Sequence, residues 1–232
     1  MNSPLQITVL FHIGPVPITG PVVTTWVIMA LLTLAAGLAT RRLALIPNRL
    51  QTVLEMAVAV VEEQIRDTMR APPGRYLPLI ATLFIYILVA NWSSIIPGVE
   101  PPTAHVETDA ALGVVVFLAV ILYGIWARGP WGYLKSFAEP TIFMVPLNFA
   151  ESFTRIFSMI VRLFGNVMSG VFVIGVVLSL AGLLVPIPLM ALDLLTGAIQ
   201  AYIFAVLAMV LIGSAVSGAA PKSTQEQSDE VD

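Results

Sequence analysis

The chain has 232 residues, of which 58% are hydrophobic and only 11% charged, against about 25% charged in an average soluble protein. Water is therefore not its main solvent. A net charge of −3 without a basic patch argues against nucleic-acid binding, and the absence of cysteine excludes disulfides, thiolate nucleophiles and cysteine-ligated metal.

Met1 to Pro21 lacks the basic region and short apolar core of a cleaved secretory signal, and it is not a basic transit peptide, so the first hydrophobic segment is expected to be retained. Five stretches can cross a hydrocarbon core of about 30 Å, which needs roughly 20 helical residues. They cover residues 22–39, 77–96, 110–127, 142–180 and 188–217. Between the first two, Leu50, Leu54, Ala57, Val58, Val61, Ile65 and Met69 recur at helical spacing, opposite Glu55, Glu62, Arg66 and Asp67. That pattern predicts an interfacial amphipathic helix. The expected fold is thus an all-α membrane protein with five transmembrane segments and one interfacial helix. Residues 1–220 form a single transmembrane domain, and residues 221–232, polar and without an apolar anchor, form a disordered cytoplasmic tail.

Segment four is too long to stand upright. Nearly forty helical residues extend about 55 Å at 1.5 Å each, so the helix must either lie steeply inclined or break. Segment five, at about 45 Å, is also overlong. The turn at Pro186-Ile187-Pro188 separates the two, so residues 142–217 are predicted to fold as a long inclined hairpin.

Lys and Arg near the ends of spanning segments are retained in the cytoplasm. Arg41, Arg42, Arg49, Arg66, Arg70 and Arg75 lie between segments one and two, and Arg128 and Lys135 between three and four. The alternate connections, residues 1–21, 97–109 and 181–187, contain neither residue type. The N-terminus is accordingly expected outside and the C-terminus in the cytoplasm.

Arg155, Arg162 and Glu151 fall inside segment four and Asp193 near the start of segment five. A central arginine costs about 2.5 to 3.5 kcal/mol on insertion scales, and such a residue is read as functional by default. At 100° per residue, Glu151, Arg155, Ser158, Arg162, Asn166 and Ser169 share one narrow face. The stripe starts at the cytoplasmic end and stops near mid-helix, since Val173 and Val176 continue it. On segment five, Asp193, Gly197 and Gln200 share a face that starts from the outer end. Two polar tracks therefore approach from opposite sides without joining. That arrangement suits ions that must reach a carrier from either side without a continuous pore. A permanently charged arginine between the tracks would favour an ionised carboxylate passing it and would block a direct leak.

Arg162-Leu163-Phe164-Gly165-Asn166, with Glu151 eleven residues earlier, resembles the signature of subunit a of F-type ATP synthases. Asn91-Trp92-Ser93, Pro102-Thr103-Ala104, Pro146-Leu147-Asn148 and Gln200-Ala201-Tyr202-Ile203-Phe204 extend the resemblance over residues 45–216. The resemblance implies that Arg162 is the essential arginine facing the carboxylates of an oligomeric c-ring, with Gln200 as its partner on the last helix. It places Asn166 and Asp193 in an outer half-channel and Glu151 and Ser158 in an inner one. It implies a stator, itself non-catalytic, held to a peripheral-stalk subunit b and through it to a soluble F1 sector, in an inner or plasma membrane and with no cofactor. Where many members carry Glu or His, this chain has Val171, leaving Asp193 to serve the outer channel alone. The Gly-rich run and short length also resemble alternative a subunits of sodium-translocating ATPases, so H+ and Na+ both stay open.

Simpler readings accompany these. Arg162 could form a structural ion pair with Glu151 or Asp193, and Arg155 either neutralises Glu151 or lines the channel. Ser158 and Ser169 either line the path or pack helices, as Gly165, Gly170 and Gly175 are expected to do. Asp193 could simply be solvated. His12, His105, Glu107 and Asp109 fall in outer segments and are expected to be solvated loop residues; two distant histidines form no metal site. The rival functional class, a self-contained secondary transporter, predicts internal repeats with interrupted helices in both halves, and the sequence has neither.

Overall fold

The computed structural model describes residues 9–13, 16–41, 49–96, 99–138, 144–182 and 184–217. The tail after Pro221 lies outside them, as do the side chains of His12 and Lys135. Among the described residues, five helices are long and apolar enough to cross a membrane: α1 (Gly20–Thr40), α3 (Leu77–Trp92), α4 (Val106–Ala138), α5 (Met144–Ala181) and α6 (Ile187–Ser217). Helix α2 (Arg49–Met69) is the amphipathic one. The protein is a multi-pass membrane protein with the expected all-α spanning region. A two-stranded antiparallel ribbon, β1 (Val9–Ile13) with β2 (Val16–Thr19), precedes α1 and adds a β element to the otherwise helical chain. Its pairing gives Phe11↔Ile18 and Ile13↔Val16.

Helix α6 is the hub, touching α2, α3, α4 and α5. Half of its apolar window is buried within the chain, against 6% for α1 and 11% for α5, so α1 and α5 leave most of their surface to lipid or partners. Membrane helices gain little from the hydrophobic effect against each other and rely on close packing and hydrogen bonds. Ala201, Ala205 and Ala208 let neighbours approach α6 around Phe204, Met209 and Ile212. Ile65 and Met69 of α2, Ile80, Leu83 and Ile87 of α3, Val116 of α4 and Leu163 of α5 complete this core. The apolar stripe of α2 is thus only partly used, because Leu54 and Val58 remain exposed.

The two ends of the bundle differ in chemistry. At one end, the Arg75 guanidinium lies 5.0 Å over the Trp126 ring, Tyr76 and Tyr123 meet at 5.0 Å, and Arg128 donates to the Ser214 carbonyl near the end of α6. At the other, polar uncharged and acidic side chains join α3 to α6. Asn91 Nδ2 donates to the Gly197 carbonyl at 2.9 Å, Trp92 Nε1 to the Leu194 carbonyl at 3.1 Å, and Thr103 Oγ1 to Asn91 Oδ1 at 2.7 Å.

Two interruptions have local causes. Gly129 adopts φ 74°, ψ 163°, and Pro130 lacks an amide hydrogen, so α4 is broken there and Tyr133 folds back onto Gly124. Gly182, at φ 76°, ends α5 in the left-handed cap that glycine favours. Met190 N then donates to the Pro186 carbonyl in the first turn of α6. Helix α5 itself runs its 38 residues as one helix, so the break that its excess length allowed does not occur. Helices α5 and α6 form the expected hairpin.

Close approach of α4 and α5 depends on Gly113, where an added Cβ would sit 2.5 Å from Ile160 Cδ1. Gly113→Val is expected to destabilise the protein by about 1–3 kcal/mol through overpacking. Thermal unfolding in mild detergent measures this, with Ile160→Ala restoring part of the loss.

Candidate functional site

Helix α5 separates its residues by face. Ile156, Met159, Leu163 and Val167, spaced three to four apart, are buried against the rest of the chain. Glu151, Arg155, Ser158, Arg162 and Ser169 are exposed on the other side, and Asn166 is half-buried beside them. The polar stripe therefore points away from the chain's own core. Phe153, Phe157, Val161, Val173 and Val176 flank it, also exposed. A guanidinium set among large apolar groups on a spanning helix is costly to leave facing lipid.

None of the ion pairs among the described residues involves Arg162, which removes the structural-pair alternative within this chain. Arg155 does pair with Glu151 across one helical turn, both about half exposed, in agreement with mutual neutralisation. The Ser169 hydroxyl donates to the Asn166 carbonyl at 2.9 Å, satisfying itself within the helix.

On α6, Asp193 is half-buried, and its Oδ2 accepts from Ser94 Oγ at 3.2 Å. Its Oδ1 occupies the point where a Cβ on Gly170 would sit. Gly170 is thus more than a generic packing residue, because its missing side chain leaves the slot into which the carboxylate fits. Arg162, Asn166 and Gly170 stand at successive i, i+4 positions of α5. Asp193 fills the slot at the end of that row, from the facing helix. Gly197, one turn along α6, packs against Asn91, and Gln200 is 6% exposed. No hydrogen bond joins Gln200 to Arg162. Val171 is partly buried against the core.

Several residues were not singled out from sequence as site residues. Ser94, Asn91 and Thr103 were legible only as polar positions within apolar or motif segments, since nothing local shows that they converge on the start of α6. Asp109 corrects an expectation. The sequence predicts a solvated loop residue there, yet it lies in the first turn of α4 with 0% exposure. His105 does pair with Glu100 at 3.5 Å in a partly exposed loop, and Glu107 is exposed.

Known proteins resemble this chain closely. The model of the family described as ATP synthase A chain matches residues 22–213. The chain is 57% identical over 219 residues to ATP synthase subunit a 2 of a Bradyrhizobium species, covering 94% of this chain and 98% of that one. It is 42% identical over 222 residues to ATP synthase subunit a of Albidiferax ferrireducens, covering 95% and 96%. To ATP synthase subunit a 1 of Chlorobaculum parvum it is 45% identical over 209 residues, covering 89% and 92%. A family match over most of the chain and this identity over nearly its whole length establish that the protein belongs to the family of ATP synthase subunit a.

Proposed function

We propose that this chain is the ion-conducting stator of a rotary ATP synthase, carrying H+ or Na+ through two offset half-channels to and from the carboxylates of a c-ring. The observation that carries the reading is the placement of Arg162 on the exposed face of α5, unpaired among the described residues and bordered by apolar side chains. A stator needs its fixed charge displayed to a moving partner, whereas a self-contained transporter needs its charges turned toward a site inside its own bundle.

In this mechanism Glu151 and Ser158 line access from the cytoplasm, with Arg155 held to Glu151. Asp193, Asn166 and Ser94 line access from outside. An ion from outside passes Asp193 and moves along the Asn166 row to a rotor carboxylate. Arg162 favours the ionised form of the arriving carboxylate, and its own charge cannot be neutralised by burial, so the two tracks stay electrically separate. Gln200, buried one helix away, shapes the wall behind it. Each elementary charge crossing releases about 2.3 kcal/mol per 100 mV, and the separation makes that release conditional on a rotor step. The basic, aromatic end of the bundle supports a cytoplasmic C-terminus and an outside N-terminus. Partners in this reading are the c-ring, subunit b, and through it the soluble F1 sector, which performs the chemistry of ATP synthesis.

Arg162→Ala is expected to abolish ion-driven ATP synthesis while the complex still assembles, and Arg162→Lys to fail substantially, since a compact ammonium lacks the guanidinium fork and can lose its proton when desolvated. Normal coupled synthesis by the assembled Ala variant contradicts the stator assignment. Cysteines at Asn166 and Asp193 should react with membrane-impermeant reagents from outside, and cysteines at Glu151 and Ser158 from the cytoplasm. Labelling of all four from one side would mean a single channel. Gly170→Ala should force the Asp193 carboxylate out of its slot and lower ion flux in reconstituted vesicles on the order of tenfold, equivalent to about 1.4 kcal/mol. Wild-type flux would show that the slot has no part in conduction.

A further inference from the structure

Asp109 is a carboxyl group for which the mechanism above has no use. Its exposure is 0%, and neither carboxylate oxygen has a hydrogen-bond partner. It lies one turn before Gly113, on the face of α4 that is buried with Val116. Among the described residues, the surrounding elements supply it no cation partner. From α3, the Tyr86 phenol lies within electrostatic reach of Asp109, but its hydroxyl is directed at Thr25 Oγ1 of α1, 3.4 Å away. In the 102–104 turn, the buried Thr103 hydroxyl is committed to Asn91. Helix α5 presents Ile156 and Ile160 at Gly113 and carries Glu151, Arg155 and Arg162 on its exposed side. On α6 the titratable group at this end is Asp193, held by Ser94. The nearest cationic candidate in the loop, His105, is paired with Glu100.

An ionised carboxylate buried without donors or a counter-charge costs several kcal/mol, so such a group holds a cation in its resting state. Its place matters equally. Asp109 lies in the first turn of α4 and Asp193 in the second turn of α6, and the C-terminal half of α3 with the turn that follows it reaches both, through Tyr86 and Ser94. Both carboxyls therefore stand at the end of the bundle opposite the Arg75–Trp126 collar.

We infer that Asp109 is a second cation-exchanging carboxyl of the outer pathway, binding a proton or Na+ on its way to Asp193. This rests on the stator reading above. The carboxylate takes up the cation from the outer water and releases it inward, returning to the anion for the next.

The test uses the complete ATP synthase reconstituted in vesicles, with ATP synthesis measured while pH or Na+ is varied on the outer side alone and then on the inner side alone. Asp109→Asn, nearly isosteric, should lower the rate about tenfold, equivalent to about 1.4 kcal/mol, and alter its dependence on the outer but not the inner concentration. A change in the outer pH profile at fixed Na+ identifies a proton; a change in the outer Na+ profile at fixed pH identifies sodium. A wild-type rate with both profiles unchanged overturns the inference, and loss of activity in Arg162→Ala shows separately that the stator reading stands. If the Asn variant does not assemble, the wild-type complex decides. Treatment with a water-soluble carbodiimide from outside, followed by peptide mass spectrometry, should place an adduct on Asp109 that high pH or added Na+ suppresses. An adduct insensitive to both, or none at any pH, overturns the inference as well.

Discussion

A guanidinium cannot shed its charge under any condition a membrane offers, and Arg162 holds one on a helix face that the chain itself leaves uncovered. Everything else about the hairpin is arranged around that constraint. The buried face of α5 is wholly apolar at Ile156, Met159, Leu163 and Val167, so the helix is anchored without using a polar group. The polar stripe is thereby left free to meet a partner. Arg155, which could have competed for the same role, is engaged with Glu151.

The same division of labour explains α6. It is the element most buried within the chain, and its small residues, Ala201, Ala205 and Ala208, let the other helices close around it. Its first turns are the exception, where Asp193 enters the space left by Gly170 and is held by Ser94. The hub thus carries the Asp193 carboxylate at one end of a row that leads along α5 through Asn166 to Arg162. Hydrogen bonds from Asn91 and Trp92 to the carbonyls of Gly197 and Leu194 fix the height of α3 against α6, and so the height of Ser94 against Asp193. In an apolar surrounding such bonds set register more than they add stability, since each is worth on average only about 0.6 kcal/mol.

Kinship with ATP synthase subunit a places the chain in a family. Valine at position 171 and a fully buried aspartate at position 109 put the acidic groups of the Asn91–Ser94 end on α4 and α6 rather than on α5. Asp193 is therefore not the lone carboxyl at that end.

Much of this was written in the order of residues. Long apolar runs determined the five spans, because the hydrocarbon thickness sets a length that few soluble helices reach. Helical periodicity put Glu151, Arg155, Ser158, Arg162, Asn166 and Ser169 on one face, since 100° per residue is a property of the helix alone. Pro186 located the turn of the hairpin for the same local reason. What periodicity could not say is which way a face points. That the stripe turns outward, that α5 stays unbroken, and that α4 breaks at Gly129 followed from how the helices pack. The convergence of Ser94, Gly170 and Asp193 joins residues up to 99 positions apart, and sequence order carries no distance across such a gap. Asp109 shows the limit most clearly. In the chain it reads as one more acid at a helix start beside an outer loop, and only the tertiary packing removes it from water.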